Sequence, residues 1–498
     1  MKTIELPPKA HTLITATRHI GYSLEAAVAD LIDNSIAAGA RNVDIEFADS
    51  GNPYIAIIDD GSGMSSDELT TAMQYGSVDP SKIRSERDLG RYGLGLKTAS
   101  MSQCTKMTVV SKKNGEVSAR QWDLDYIKKH PDATWPLLVL DRGEWIKLPE
   151  VEALDKKKRG TIVIWQNIDF GGTYDETTFD DEMNKVKEHL SLVFHRYIQG
   201  EEGINKICIR VIKSRLEPKD PFLQHVEGGK HGHQCKATQP IGTGKERITL
   251  QAFTLPHDKE LTGAMKKLLG TEGKLLRRTQ GFYIYRNKRL ITYGSWFGLR
   301  AQGEFFKLAR IKVDIPNSVD LKWSLDVKKS VAIPPQKIVG HLRAYVDSVV
   351  KQSKNAIRVQ VFGKKLPKAG EDLQVWSPML KDDESGGQVV SAVQINRDHP
   401  VIKAALASNM ITDKLLKMLE RTIPVDLFYY SRCSDKRIDN EIPLSIDELL
   451  DMLKGFVATV PKGVARKQAY LTMLSSEPFL MQSDELRKFE EEILNATV

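Results

Sequence analysis

Apolar residues recur at helical spacing over residues 24–38, where Leu24, Ala27, Val28, Leu31, Ile32 and Ile36 fall on one side, and the pattern predicts a helix that Gly39 stops. Strict alternation replaces it over 42–47, with Val43, Ile45 and Phe47 between polar neighbours, and a continuous apolar run follows at 54–58. Both read as strands, the second a buried one. Asp59-Asp60-Gly61-Ser62-Gly63 breaks that run. Residues 76–95 are rich in Gly, Ser and charge, cannot build a core and read as a mobile loop; a helix begins at Leu96. Strands at 106–111, 117–123 and 161–166 complete a first domain, expected at 1–170.

From about residue 180 helix and strand alternate again. A helix is predicted at 181–199, strands at 207–212, 247–253, 281–285 and 309–315, and a long basic helix at 335–362, together a second α/β domain over 180–362. A Gly-, Pro- and charge-rich stretch at 363–387 reads as a linker. Helical patterns at 400–421, 442–457 and 483–494 make 388–498 a mainly helical region of unknown role. The expected fold class is thus α/β (α+β), in more than one domain, because 498 residues exceed what one core organises.

Composition narrows the class. With 41% hydrophobic and 28% charged residues the chain is globular throughout, and its longest apolar runs fall far short of the roughly 20 residues a bilayer span needs. The N-terminal stretch lacks the apolar segment of a secretion signal, so a cytoplasmic protein with no membrane partner is expected. Cys104, Cys208, Cys235 and Cys433 lie too far apart for a disulfide framework or a paired-thiolate zinc site. His231-Gly-His233-Gln-Cys235 reads as a polar surface loop, with metal binding the lesser alternative. A net charge of +7 permits an acidic partner such as nucleic acid without demanding one.

Three short constellations carry chemistry. In Asp30-Leu31-Ile32-Asp33-Asn34, the first and last residues are one helical turn apart and project from one face, so a carboxylate and an amide share a pocket. Such a pair can polarise water and ligate Mg²⁺; it can also be an ordinary solvated face. Asp59, with Gly61, Gly63 and Met64 after it, ends a buried strand. The glycines let the backbone approach a flat ligand, the carboxylate can accept from an exocyclic amine, and Met64 offers an apolar contact. Gly90-Arg91-Tyr92-Gly93-Leu94-Gly95-Leu96-Lys97-Thr98 is a Gly-rich loop opening a helix, which presents backbone N–H groups to phosphate, with Lys97 adding charge. It lacks the Gly-Lys-Ser/Thr of a Walker loop.

In this order and spacing the three resemble the GHKL ATPases (gyrase, heat-shock chaperone, histidine kinase, MutL), and 89–101 looks most like the MORC branch and its bacterial relatives. The resemblance implies a Bergerat-type sandwich of helices on a mixed sheet, with ATP and Mg²⁺ as ligands. Asn34 would hold Mg²⁺, Asp59 the adenine amine, and Gly61, Gly63 and Met64 the base. Gly93, Leu94, Gly95, Leu96 and Lys97 would close over the phosphates as part of a lid at 76–95. Thr161 matches the threonine that reaches adenine beside the aspartate, and an ordinary strand threonine is its alternative. The general base in the best-known branches is a glutamate four residues before the asparagine; here Asp30 stands there, one methylene shorter.

The second domain resembles an S5-like transducer, particularly at 281–291. In those families a lysine from this domain reaches the γ-phosphate, which points to Lys329 ahead of Lys328. The family pattern further implies a homodimer formed through the N-terminal domain with ATP bound, and a clamp closing on DNA. Two basic stretches would serve DNA, one with Lys266, Lys267, Lys274, Arg277 and Arg278, the other with Arg343, Lys351, Lys354 and Arg358; either can equally be solvated surface. A chaperone-like or scaffold switch acting on a protein client is the alternative, with a protein partner at the C-terminal region.

Overall fold

The computed structural model describes residues 3, 8–18, 22–49, 51–76, 95–130, 135–169, 176–224, 233–242, 244–257, 260–269, 274–319, 323, 334–362, 375–382, 388–407, 411–422, 445–458, 460–475, 479 and 482–496. It falls into two compact units, Met1–Val350 and Lys351–Val498. Gly93, Leu94, Lys328, Lys329 and nearly all of the expected lid lie outside the described residues.

The first unit opens with helices α1 (Ala10–Arg18) and α2 (Leu24–Ala37). Gly39 ends α2 at φ +74, with its N–H on the Ile36 carbonyl, as the sequence pattern predicts. Strands β1 (Asn42–Ala48) and β2 (Tyr54–Asp59), helices α3 (Ser66–Met73) and α4 (Gly95–Met101), strands β3 (Cys104–Lys113) and β4 (Glu116–Asp123), and helix α5 (Leu124–Lys129) follow. Strand β5 (Leu138–Leu140), helices α6 (Arg142–Trp145) and α7 (Val151–Asp155), strand β6 (Gly160–Ile168), helices α8 (Glu176–Val193) and α9 (His195–Gln199), and strands β7 (Cys208–Val211) and β8 (Ser214–Arg215) complete this layer.

These strands form one eight-stranded sheet in the order β5-β4-β3-β6-β2-β1-β7-β8. Every pairing is antiparallel except β1 with β7, which makes the sheet mixed. The unbroken apolar run of β2 has a physical cause: Ile55 and Ile57 face the core under α1, α2, α4 and α8, while Ala56 and Ile58 face a second core closed by Trp145, Val151 and Leu154.

A correction to the expected domain boundary follows from β7. Helix α8 and the strand at 208–211, assigned from sequence to the second domain, belong to the first sheet: Phe179, Met183, Val186 and Leu190 pack into its core, and β7 pairs in parallel with β1. A parallel neighbour requires a crossover connection, which α8 supplies, and periodicity alone carries no information about which sheet a strand joins.

The second sheet runs through β9 (His233–Ile241), β10 (Ile248–Thr254), helices α10 (Gly263–Leu269) and α11 (Lys274–Arg278), β11 (Gly281–Arg286), β12 (Arg289–Ser295) and β13 (Ala309–Ile315), in the order β12-β11-β13-β10-β9. Residues 233–235, expected in a surface loop, start β9. Helix α12 (Gln336–Phe362) lays Leu342, Tyr345, Val346, Val349 and Val350 on this sheet beside Leu250, Ile284, Ile311 and Val313.

In the second unit the expected linker contains a strand. β14 (Trp376–Asp382) pairs antiparallel with β15 (Gln388–Ile395), and a two-stranded sheet tolerates Pro378 because neither strand is enclosed by neighbours. Helices α13 (Pro400–Ala407) and α14 (Asp413–Thr422) follow, Glu420 of α14 accepting from the Ile395 N–H at 2.7 Å. The helices over Ile446–Ala458 and Val464–Leu474 enclose a separate core around Leu453, Val457, Tyr470 and Phe479. No helix among the described residues is long and apolar enough to cross a membrane.

Candidate functional site

Helix α2 carries one wall of the site. Asp30, at 2% exposure, and Asp33, at 0%, are buried, whereas Asn34 is exposed one turn beyond Asp30. Burying a carboxylate is costly unless it finds partners, and Asp30 has them on two sides. Tyr22 Oη donates to Asp30 Oδ2 at 3.0 Å, and the Arg289 guanidinium lies 3.8 Å from Oδ1. Gly95, the first residue of α4, closes against the same carboxylate: a Cβ there would stand 3.6 Å from Asp30 Oδ2.

Asp59, where β2 ends, is the second anchor. Its Oδ1 accepts from the backbone N–H of Gly61 at 2.8 Å and of Thr161 at 3.2 Å, and its Oδ2 accepts from Ser35 Oγ at 3.1 Å. A carboxylate offers about four lone-pair positions, so these donors leave room for one more. Burial pushes the Asp59 carboxyl above its ordinary range, against the lowering effect of the same three donors.

The turn after Asp59 needs its glycines. At Gly63, φ is +68 and a Cβ would lie 2.0 Å from the Lys112 carbonyl oxygen; at Gly61 it would lie 2.9 Å from Ala38 Cβ. Gly160, at φ +142, approaches from the far strand, where a Cβ would lie 2.2 Å from the Asp59 carbonyl oxygen. Ser111 ties these pieces together: its hydroxyl accepts from the Met64 N–H at 2.8 Å and lies 2.8 Å from Thr161 Oγ1. Met64 and Leu96 are half-buried against the main core.

The structure therefore brings Asp59, Gly61, Gly63, Met64 and Thr161 together at the C-terminal end of α2, through Ser35 and Ala38, and Asp30 with Gly95 at its middle. Lys97 turns inward instead. Its ammonium, in a side chain at 2% exposure, donates to the Ala72 carbonyl at 2.9 Å, and burial pulls its pKa down to about 8. Its place in the Gly-rich pattern gave no sign of that partner.

Sequence reasoning missed Tyr22, Ser35, Ser111, Gly160 and Arg289. Gly160 had a signal, a glycine just before a buried strand; Arg289 lies in the transducer-like stretch 281–291, but nothing there pointed to Asp33, 256 residues away. Arg289 opens β12 and donates through Nε to Asp33 at 3.1–3.2 Å and through Nη1 to its neighbour Leu290's carbonyl at 3.1 Å. His189 of α8 shares this junction. Burial, and next the Arg289 charge, pull its pKa down to about 4 against the opposing effect of Asp33, so it is neutral near pH 7.

The donor set fits a nucleotide and a hard cation: a buried carboxylate with acceptor capacity left, glycines where the backbone must come close, and an exposed amide oxygen one turn from a buried carboxylate. Residues 22–161 match the family model described as "Histidine kinase-, DNA gyrase B-, and HSP90-like ATPase". Over 102 residues the chain is 34% identical to the ATPase morc-1 of Caenorhabditis elegans, covering 20% of this chain and 11% of that one. Similar stretches occur in DNA mismatch repair proteins MutL: 34% identity over 121 residues in Dictyoglomus turgidum, covering 23% of this chain and 20% of the relative, and 37% over 92 residues in Thermoanaerobacter sp., covering 18% and 15%. The chain matches a fifth or less of the length of each of these relatives. The N-terminal α/β layer is a GHKL-type ATPase domain, with MORC and MutL proteins among its relatives.

Proposed function

We propose that this GHKL-type domain binds ATP with Mg²⁺ and hydrolyses it slowly, and that the cycle drives dimerisation through the N-terminal domain and closure on DNA. The observation that carries the reading is Asp59, buried at 7% exposure, with three donors fixing its orientation and one acceptor position remaining for the adenine amine. Gly61, Gly63, Met64 and Thr161 line the base. Gly93, Leu94, Gly95 and Leu96 supply the phosphate side, with Lys329 as a cation directed there and Lys97 reaching it on leaving the Ala72 carbonyl when ATP binds. Mg²⁺, held through Asn34, would neutralise phosphate charge when bound.

Asp30 is assigned as the general base. Water oxygen bonds to the γ-phosphorus as the bond from that phosphorus to the β–γ bridging oxygen breaks; ADP leaves with the electron pair, and the water proton passes to the carboxylate. The short aspartate places this group further from the phosphate than a glutamate would, which favours a slow rate over a fast one.

DNA as partner rests on the relatives named for DNA mismatch repair and on exposed Lys266, Lys267, Arg277, Arg278, Arg343 and Lys351. The side chains of Lys274, Lys354 and Arg358 lie outside the described residues.

Phosphate release and ATP binding by wild type, Asn34→Ala and Asp30→Asn test the site. Hydrolysis by the wild type, lost in both variants, is expected, with binding weakened mainly in Asn34→Ala; equal rates in all three would reject the assignment. Salt-sensitive DNA binding that requires a non-hydrolysable ATP analogue supports the clamp, and failure to bind at low salt rejects DNA as the partner.

A further inference from the structure

We infer that Arg289, on the second sheet, is a positioning residue for Asp30 and makes hydrolysis depend on how the second sheet sits against α2; this rests on the reading of Asp30 as general base. The guanidinium has a separate task for each nitrogen. Nε holds Asp33 at 3.1 Å and Nη1 holds the Leu290 carbonyl at 3.1 Å, which fixes the plane and leaves Nη2 facing Asp30 Oδ1 at 3.8 Å. Tyr22 holds the other oxygen, Oδ2, at 3.0 Å. A carboxylate one methylene short of the expected glutamate is thereby held by a hydrogen bond on one oxygen and by the guanidinium charge on the other, which narrows its rotation.

The grip joins the two sheets because the turn just before Arg289 is seated on the first layer. Asn287 and Lys288, at φ +48 and +67, form the tight turn joining β11 to β12. The Asn287 carbonyl accepts from Tyr197 Oη at 2.7 Å, and Lys288 Nζ lies 3.2 Å from Glu201. Arg289 follows this turn directly and pairs with Arg286 of β11, so a change in how the second sheet seats on α9 moves the guanidinium against both aspartates. All three charged side chains are at most 4% exposed, so water does not dilute the interaction.

The test uses the full chain and the variants Arg289→Gln, Arg289→Lys and Asp33→Asn, with steady-state ATP hydrolysis and equilibrium binding of a non-hydrolysable ATP analogue. Arg289→Gln is expected to lower kcat by about tenfold or more while KM and analogue affinity stay within about twofold. Arg289→Lys should recover part of kcat, since it restores charge without the two-sided fork. Asp33→Asn, which loosens the anchor but keeps both Arg289 and Asp30, should lower kcat by less than Arg289→Gln. A folded Arg289→Gln with wild-type kcat, or one that loses analogue binding in step with kcat, overturns the inference. Should that variant not fold, wild-type kcat in Arg289→Lys overturns it instead. A wild type that hydrolyses normally alongside unaffected variants rejects the positioning role alone; a wild type that binds ATP and never hydrolyses it rejects the hydrolysis reading and this inference with it.

Discussion

The Ser35 hydroxyl lies 3.1 Å from Asp59 Oδ2, so helix α2 and the end of β2 are fastened together at the carboxylate assigned to adenine. A buried acid held for a ligand's sake is a liability without the ligand. Burial raises the Asp59 carboxyl above its ordinary range. A folded-state value above the unfolded one gives stability that is complete below the unfolded pKa and is lost as pH rises through the folded pKa. Asn at this position keeps the acceptor for Gly61 and Thr161 and can donate to Ser35. Asp59→Asn is therefore expected to raise Tm near pH 7, with the gap to wild type closing toward about pH 4, and to weaken ATP binding roughly ten- to a hundredfold. Calorimetry with and without nucleotide checks both; a lower Tm at neutral pH would contradict the electrostatic part.

Lys97 carries the opposite charge and the opposite sign. Its pKa is pulled by burial from 10.5 to about 8, so its contribution to stability is complete above the unfolded value and is lost as pH falls through about 8. Lys97→Met should melt higher than wild type near pH 7, the difference vanishing toward about pH 10. If the amine pairs with phosphate when ATP binds, the nucleotide should raise Tm more in wild type than in Lys97→Met. An equal ligand-induced shift would reject a phosphate role for Lys97.

Gly160 has no side chain because β2 passes too close. With φ at +142 and a hypothetical Cβ 2.2 Å from the Asp59 carbonyl oxygen, Gly160→Ala must displace backbone at the end of the site proposed for adenine. A loss of more than about 1 kcal/mol in chemical denaturation is expected, together with weakened ATP binding. Wild-type values in both would show that the two strands have room to separate.

In the second unit Arg466, at 6% exposure, donates to the carbonyls of Ala458, Val460, Leu494 and Ala496 at 2.7–3.1 Å. It gathers the ends of separate helices that would otherwise bury unpaired acceptors. Arg466→Met should cost about 3 kcal/mol in that unit, read as earlier loss of helical signal, while the ATP-dependent rise in Tm of the first unit persists. A simultaneous loss of nucleotide binding would contradict the division into units.

The parts legible in the sequence are those set by local spacing. The α2 helix, its Gly39 stop, the strand before Asp59 and the glycine turn follow from distances of a few residues along the chain. Interactions chosen by folding were not legible. Arg289 sits in the transducer-like stretch 281–291, but nothing in that stretch names its partners, which come from a helix more than 250 positions away. Lys97 lies in a phosphate-like pattern, and only the packing of α3 beside α4 brings the Ala72 carbonyl to it. In the presumed linker the alternation of β14 is hidden by Pro378 and the charges of Lys381 and Asp382, so composition outweighed periodicity.

The parallel pairing of β7 with β1 sets a minimum length for the ATPase layer. A polypeptide released after residue 170 would carry every residue that the first sheet supplies to the proposed nucleotide site, yet β1 would end it as an uncovered edge with unpaired amides and carbonyls. On the ribosome, the same stretch must wait some 40 residues more before its last partner emerges. Truncations meant to isolate the nucleotide-binding half should therefore stop beyond Leu216, where the hairpin that seals this edge is finished.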